Sequence, residues 1–426
     1  MWGEFNMKSD FLRSVTVLTS GTVIAQAIGY AITPILTQFF YTPEDFGEFG
    51  IFMRIVALLT AIGTARYELT LPLPKRDQHA FQLFLLSLRI AFWTLIVSFV
   101  LGFVYWLFWE TSLNTFLLVL AVGLTSFFMI FKNIGTNWAI RLKSYGRISA
   151  VNITSSFGTN AVKLLAGFIG LGSLGLVFGT LIGTIVGTSW FFVDFFKQKK
   201  EEGFLKSSTK MKALANRYKE FPRVNLPHTL IDTARELLIA FFLTYYLSTS
   251  LFGSYDLSFK MLKIPLLLIG TAIGQVMFQK ASEKFANNED IFPLVSKTVV
   301  LLLLVSIIPF SVVYIWGAPI FAFVFGDEWC FAGEIASVIA PWLMMNLVAS
   351  AISMIPSVIN ALRWFFWIGL ATSIIQLGLF GFYPQITEGL SIEPLEFFRI
   401  VSWVMVVVYA IIIAWELVLV KQVEND

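Results

Sequence analysis

The chain has 426 residues, of which 57% are hydrophobic and 13% charged, about half the charged share of an ordinary soluble domain. This excludes a string of soluble domains, and the apolar share, about 243 residues, suffices for about twelve membrane spans of ~20 residues each. Runs such as 298–316 and 401–420 are almost continuously apolar rather than alternating, which excludes an outer-membrane barrel.

With 30 Lys and Arg against 27 Asp and Glu, the net charge is only +3, so the information lies in where the basic residues fall. One cysteine, Cys330, excludes an internal disulfide, and His79 and His228 are too far apart for a local metal motif. No Gly-Lys dipeptide occurs, so a phosphate-binding loop of the Walker type is excluded. No metal, cofactor, catalytic residue or nucleic-acid partner is expected, and the chain does not read as an enzyme.

In chain order, apolar runs between polar or Gly/Pro breaks predict spans at 13–40, 46–66, 81–107, 113–137, 149–170 and 174–196, then 225–247, 253–278, 294–316, 331–358, 365–383 and 397–420. The fold class expected is all-α, with about 12 transmembrane helices in two pseudo-symmetric six-helix bundles. No cleavable signal peptide is evident, and Met7 is an alternative start to Met1.

The basic groups Lys75/Arg76, Arg141/Lys143/Arg147, Lys197–Arg223, Lys280/Lys284 and Arg363 fall on one side of these spans, and the opposite connections carry no Lys or Arg. Both termini are therefore expected in the cytoplasm. The segment from Lys197 to Arg223, with nine basic and three acidic residues, separates an N-terminal lobe (1–196) from a C-terminal lobe (225–426). Within this linker (197–224), Met211, Leu214, Tyr218 and Phe221 recur at helical spacing, which fits an interfacial helix on anionic lipid or equally a solvated charged loop.

Sliding the second half back by 206 positions places Phe252 and Gly253 on Phe46 and Gly47, and Lys260 on Arg54. A duplication with both copies in the same orientation is expected. Polar stripes recur at helical spacing in the first span (Thr19, Thr22, Gln26, Tyr30, Thr33, Thr37), the fifth (Asn152, Ser156, Thr159/Asn160, Lys163) and the seventh (Asn225, Thr229, Asp232, Glu236). Interhelical hydrogen bonds are the plain explanation of each hydroxyl; three stripes that include charge point to a water-filled lumen.

Arg54, Lys163, Arg235 and Lys260 lie well inside their spans, where each charge facing lipid costs at least ~2.5–3.5 kcal/mol. Asp232 and Asp256 offer acid partners to Arg235 and Lys260, whereas Arg54 and Lys163 have no acid three or four residues away. The four, with Lys263 one turn from Lys260, are the candidate anion-binding residues. Arg66, Arg89 and Lys132 lie nearer the cytoplasmic ends, where long side chains snorkel. Gly50, Arg54, Ala57, Ala61, Ala65 and Glu68 share a helical face that reads as a cavity wall, and the four-residue repeat Gly175, Gly179, Gly183, Gly187 reads as close helix packing. Pro34, Pro265 and Pro309 are expected to kink or break their helices.

The segments FGEFGIF (46–52), TARYELTLPLP (64–74), RYKEFP (217–222) and FGSYDLSFKMLKIPLLLIGTAIGQVMF (252–278), in that order and spacing, resemble bacterial lipid-linked oligosaccharide flippases. These form the polysaccharide-export branch of the superfamily that also holds multidrug antiporters and the lipid II flippase. The resemblance implies a twelve-helix, two-lobed fold of the inner membrane around a cationic cavity. It further implies that the cavity accepts a polyprenyl-diphosphate-linked oligosaccharide of the O-antigen or capsule type, working beside a polysaccharide polymerase. Glu68, Asp232 and Glu236 are the candidate carriers of a coupling H+ or Na+. The alternatives are a drug or metabolite antiporter of the same superfamily and a membrane-embedded sugar polymerase; the buried basic excess argues against the first and the short outside connections against the second.

Overall fold

The computed structural model describes residues 2–202, 207–359, 361–388 and 392–423, and these contain helices and turns but no β-strand. Lys206 lies outside the described residues, as do the side chains of Lys199, Lys200 and Arg363. The chain is an all-α membrane protein. Each expected span falls on helical structure, although 253–278, 331–358 and 365–383 are each divided between two or more helical elements, and seven described helices are long and apolar enough to cross a membrane by length and composition alone. Contacts divide the chain into two units, Met1–Leu237 and Leu238–Asp426.

The first unit contains α1 (Trp2–Phe39), α2 (Pro43–Ile62), α3 (Asp77–Phe108), α4 (Leu113–Arg141), α5 (Tyr145–Ile169), α6 (Ser173–Glu202), α7 (Ser208–Arg217) and the first half of α8 (Leu226–Tyr246). Local chemistry sets several of these ends. Thr42 and Asp45 form a reciprocal cap in front of α2, with Pro43 in its first turn, and Ser112 accepts a hydrogen bond from the Thr115 amide at the start of α4. Gly170, in the left-handed region at φ 74°, ends α5.

The glycine repeat of α6 does what its spacing predicts. A Cβ at Gly179 would stand 2.5 Å from the Lys163 Cγ, and one at Gly183 would stand 2.6 Å from the Thr159 Cα, so only hydrogen at these positions lets α5 and α6 pack backbone to backbone. The core of this unit is aromatic: Phe84 stacks on Phe195 at 4.3 Å between ring centroids, and Phe131 on Phe192 at 3.8 Å. In α3, Phe92, Trp93, Leu101 and Phe108 face outward, an apolar surface suited to lipid.

The linker departs from both expectations. Residues 208–217 are helical, but Met211 and Leu214 are buried, and Leu214 joins the core of Phe81, Phe84, Ile148 and Phe195. The Ser207 amide donates to the Gln82 Oε1 at 3.0 Å, and the Tyr67 hydroxyl donates to the Ala215 carbonyl at 3.1 Å. The apolar face is thus covered by protein rather than lipid, because an existing aromatic core offers each side chain roughly 1.5–3 kcal/mol of burial.

The second unit contains the rest of α8, then α9 (Thr249–Leu262), a π-helical turn (Leu266–Gly270), α10 (Thr271–Ala286), α11 (Phe292–Phe325), α12 (Cys330–Ile352), α13 (Ile355–Val358), α14 (Leu362–Gly381), α15 (Tyr383–Glu388) and α16 (Pro394–Val423). The expected span 253–278 is interrupted around Pro265: α9 ends at Leu262, Lys263 is a turn, and the π-helical turn starts directly after the proline. Pro34 and Pro309, in contrast, sit inside continuous helices. The departure in α11 falls at Trp316 (φ −119°, ψ 21°), three residues before Pro319, which lacks the N–H that the Ile315 carbonyl would accept. The connection expected at 317–330 is mostly helix: α11 runs to Phe325, and only Gly326 and a 3-10 turn at Asp327–Trp329 precede α12. A Cβ at Gly333 would stand 2.6 Å from the Ala318 Cα, so this hairpin is closed by contact between its backbones.

Candidate functional site

The polar stripes of α1 and α5 meet each other. Ser149 donates to the Val17 carbonyl at 2.7 Å, Ser156 to the Ala25 carbonyl at 2.6 Å, and the Asn152 amide to the Thr22 hydroxyl at 3.5 Å. Gly21 permits the approach, since a Cβ there would stand 2.8 Å from the Ser149 Cα. Thr33 and Thr37 return their hydroxyls to carbonyls of their own helix. For these residues the lumenal expectation gives way to helix-to-helix and intrahelical hydrogen bonding, because a hydroxyl within a span gains most from the nearest carbonyl.

Lys163 lies further along the same face of α5. Its ammonium sits 4.2 Å from the centroid of the Phe49 ring on α2, its stem runs over Gly179, and its carbonyl accepts a 2.7 Å hydrogen bond from the Tyr41 hydroxyl. That phenol, in the α1–α2 turn, is pushed up to about 12, first by burial and then by Asp45, so it stays a donor at all physiological pH. Arg54 follows Phe49 by five residues, about 7.5 Å of helical rise. It is half-buried, and its guanidinium donates to the Gly50 carbonyl at 3.2 Å. The fold therefore brings the Lys163 ammonium onto the helix that carries Arg54. Neither motif spacing nor charge pattern singled out Phe49 as the ring that holds Lys163; its place one turn and a half before Arg54 on an aromatic face was the available signal.

The cavity-wall face of α2 does not continue to Glu68. The helix ends at Ile62, the backbone turns left-handed at Ala65 and Arg66 (φ 48° and 64°), and Glu68 lies in a 3-10 turn at Tyr67–Thr70. Glu68 is buried, accepts from the Thr64 hydroxyl, and pairs with Arg66 at 3.4 Å. Arg66 thus pairs with an acid rather than snorkelling. Two non-glycine residues in this conformation are held by the ion pair and by Gly63, where a Cβ would meet Ile130.

On α8, Asp232 stands 3.6 Å from Arg235 and 3.7 Å from the His228 Nδ1, while Glu236 is exposed. On α9, Lys260 pairs with Asp256 at 2.5 Å, with the carboxylate buried and the lysine half-exposed, and the Lys263 ammonium lies 4.4 Å from the Phe259 ring centroid. Lys260 occupies the last turn of α9, ahead of the Pro265 break, where projecting carbonyls favour a cation. In the 206-residue register, Asp256 and Lys260 fall on Gly50 and Arg54, so the same i, i+4 pairing recurs with a carbonyl in one half and a carboxylate in the other. Within the first unit Lys163 lies against the Arg54 helix and Arg235 pairs with Asp232; within the second, Lys260 and Lys263 stand one turn apart at the end of α9. Among the described residues no three His, Cys, Asp or Glu side chains cluster as metal ligands.

Residues 35–332 match the family model described as "Polysaccharide biosynthesis protein". No curated protein matches the sequence. Among solved structures, the chain is similar to the lipid II flippase MurJ in an inward closed conformation (TM-score 0.70, 13% identity, 93% of this chain and 86% of that one). It is also similar to an inward-facing multidrug resistance MATE family transporter of the MOP superfamily (TM-score 0.66, 13% identity, 96% and 95%). A MOP superfamily transporter from Pyrococcus furiosus Vc1 (DSM3638) aligns over 96% of both chains at TM-score 0.58 and 12% identity. At these identities the likeness is one of fold.

Proposed function

Since the chain belongs to the polysaccharide biosynthesis protein family, we propose that it is a flippase that moves polyprenyl-diphosphate-linked oligosaccharide repeat units from the cytoplasmic to the outer leaflet. The observation that carries this reading is the Lys163 ammonium held on the Phe49 ring of the helix that bears Arg54, within a membrane-spanning bundle. Sugars and a diphosphate do not cross hydrocarbon unaided, because each unsatisfied polar group costs several kcal/mol. Cationic groups inside the spans answer the diphosphate's charge while the prenyl tail stays in lipid, with lysine supplying a compact charge and arginine a forked donor.

In this proposal Arg54, Lys163, Arg235, Lys260 and Lys263 are the residues that answer the diphosphate's charge during transport, which proceeds by alternating access. The protein sits in the inner membrane with both termini cytoplasmic, and it feeds a polymerase that extends O-antigen or a related surface polysaccharide. An anionic headgroup leaving a negative cytoplasm gains roughly 2.3 kcal/mol per charge per 100 mV, so the membrane potential supplies a driving force. Coupling to H+ or Na+ through Glu68, Asp232 or Glu236 would add to it, although Glu68 and Asp232 already pair with Arg66 and Arg235. Cationic side chains within the spans suit an anionic headgroup better than the organic cations of a drug antiporter.

Deletion is expected to trap lipid-linked repeat units on the cytoplasmic face and abolish surface polymer; continued surface polymer in a strain without a paralogue refutes the proposal. Arg54→Ala and Lys163→Ala should abolish export at normal protein level, and full export by both removes the anion site. Mass spectrometry of the accumulated glycolipid identifies the sugar.

A further inference from the structure

Glu416 is the only charged residue in the run 401–420, and it is buried on α16 at 3% exposure. Its Oε2 is sealed from solvent and meets no hydrogen-bond donor. Tyr409, Ile413, Glu416 and Val420 recur by four, three and four residues, so they share one face of α16. Ile413 and Val420 of that face belong to an apolar core with Val299, Val348, Ile352 and Ile355. The carboxyl is therefore inserted between two side chains that are themselves in hydrocarbon-like packing.

The ionisable groups on the helices packed against α16 are few. On α12 they are Cys330 and Glu334, at the opposite end of that helix from the stretch starting at Met345 that joins this core, about 16 Å away along its axis. On α11 they are Tyr314 and Lys297, both exposed, and on α14 Arg363, whose side chain lies outside the described residues. On α16 itself, Tyr409 accepts a 3.0 Å hydrogen bond from Asn346, Lys421 is exposed, and Glu396 and Arg399 pair with each other near the start of the helix. A negative charge on the sealed Oε2 meets no donor, and a proton on that oxygen removes the charge. A hard metal cation would require several oxygen ligands, and among the described residues no three His, Cys, Asp or Glu side chains cluster to supply them.

We propose that Glu416 is a proton-binding site, holding a proton on its carboxyl while α16 is packed against α12 as here and giving it to water when that packing opens. The carboxyl O–H bond breaks with its electron pair left on oxygen, the proton passes to water, and the carboxylate remains hydrated until the core closes on a new proton. Two packings of one pair of helices are thereby tied to two protonation states, which is what coupling to a proton gradient requires. The coupling half of this proposal rests on the transporter reading above; the proton site itself does not.

Infrared spectra of the purified full-length protein in lipid nanodiscs test the site. The wild type should show a protonated-carboxyl stretch that Glu416→Gln lacks and that Glu334→Gln and Glu416→Asp retain; a Glu416→Gln spectrum identical to wild type overturns it. The isosteric amide guards against misfolding, and Glu416→Asp restores the titrating group if the amide variant is poorly made. In inverted vesicles loaded with lipid-linked oligosaccharide, an imposed proton gradient should stimulate wild-type flux severalfold, whereas Glu416→Gln should keep its basal flux and lose the stimulation. Undiminished stimulation in that variant overturns the coupling, and a wild type with no flux overturns the transporter reading while the infrared band still decides the proton site.

Discussion

Gly183→Ala probes how the bundle places its buried lysine. The added Cβ would lie 2.6 Å from the Thr159 Cα, where ordinary contact begins near 3.4 Å, so α5 and α6 must part by roughly 1 Å. Overpacking of this kind costs about 1–3 kcal/mol, and the better helix propensity of alanine returns only ~0.8–1 kcal/mol. The net loss, up to about 2 kcal/mol, should lower the melting temperature of the purified protein in detergent by several degrees, at roughly 2–4 °C per kcal/mol for a unit of this size. Thr159 precedes Lys163 by one turn of α5, so the same displacement shifts the ammonium relative to the Phe49 ring, now 4.2 Å away, and export should fall with stability. Gly29→Ala is the control: nothing lies within 4 Å of its Cβ, and it should be neutral or stabilising by about 0.5–1 kcal/mol. A Gly183→Ala protein with wild-type melting and export would refute the backbone-contact argument.

Phe49→Leu keeps apolar volume but removes the ring beneath Lys163, and loss of ~0.5–2 kcal/mol of cation–π attraction should reduce export several-fold with little change in protein level; a full transport rate would count against the site. Leu214→Ala should weaken the docking of α7 by about 2–5 kcal/mol and let the backbone around the already exposed Lys210, Lys212 and Arg217 unwind into trypsin, read as faster nicking of the native protein. Asp256→Asn removes the carboxylate beside Lys260; because the lysine is half-exposed, the loss should fall below the ~3–5 kcal/mol of a fully buried pair, and a thermal-shift assay would measure it. Between α10 and α11, hydrogen bonding to Lys284 holds the Glu289 carboxyl below its usual range, and the same bond raises the Lys284 ammonium. The contribution of Glu289 is therefore present above its unfolded pKa and lost as pH falls through the lower folded value, whereas that of Lys284 is lost as pH rises through its raised folded value. Limited proteolysis around Asn287 should accelerate at both extremes, and Glu289→Gln should flatten the acid limb.

Spans were legible because twenty-residue apolar runs have few alternatives in lipid, and the close α5–α6 contact was legible because glycine every fourth residue falls on one helical face. The pairings of Arg235 and Lys260 could be read from i−3 and i−4 acids, which geometry within one helix fixes locally. What escaped depends on contacts distant in sequence. Leu214 in one core with Phe81 and Phe84, Ser156 on the Ala25 carbonyl and Lys163 on the Phe49 ring each join residues separated by more than a hundred positions. The end of α2 at Ile62 escaped as well, because the two left-handed residues that follow it, Ala65 and Arg66, are not glycines and carry no sequence signal for that conformation. Glu416 was visible as the lone acid in an apolar run, yet its lack of a donor could be known only once its neighbours were placed.

The aromatic core of the first unit also sets an order of synthesis. Phe81, Phe84 and Phe131 emerge from the ribosome early, but the rings that stack on them, Phe192 and Phe195, are made more than sixty residues later, and Leu214 later still. During that interval α3 and α4 lie in the bilayer without their final partners, and chains halted before residue 195 should be substrates for membrane quality-control proteases in a way that chains reaching α7 are not.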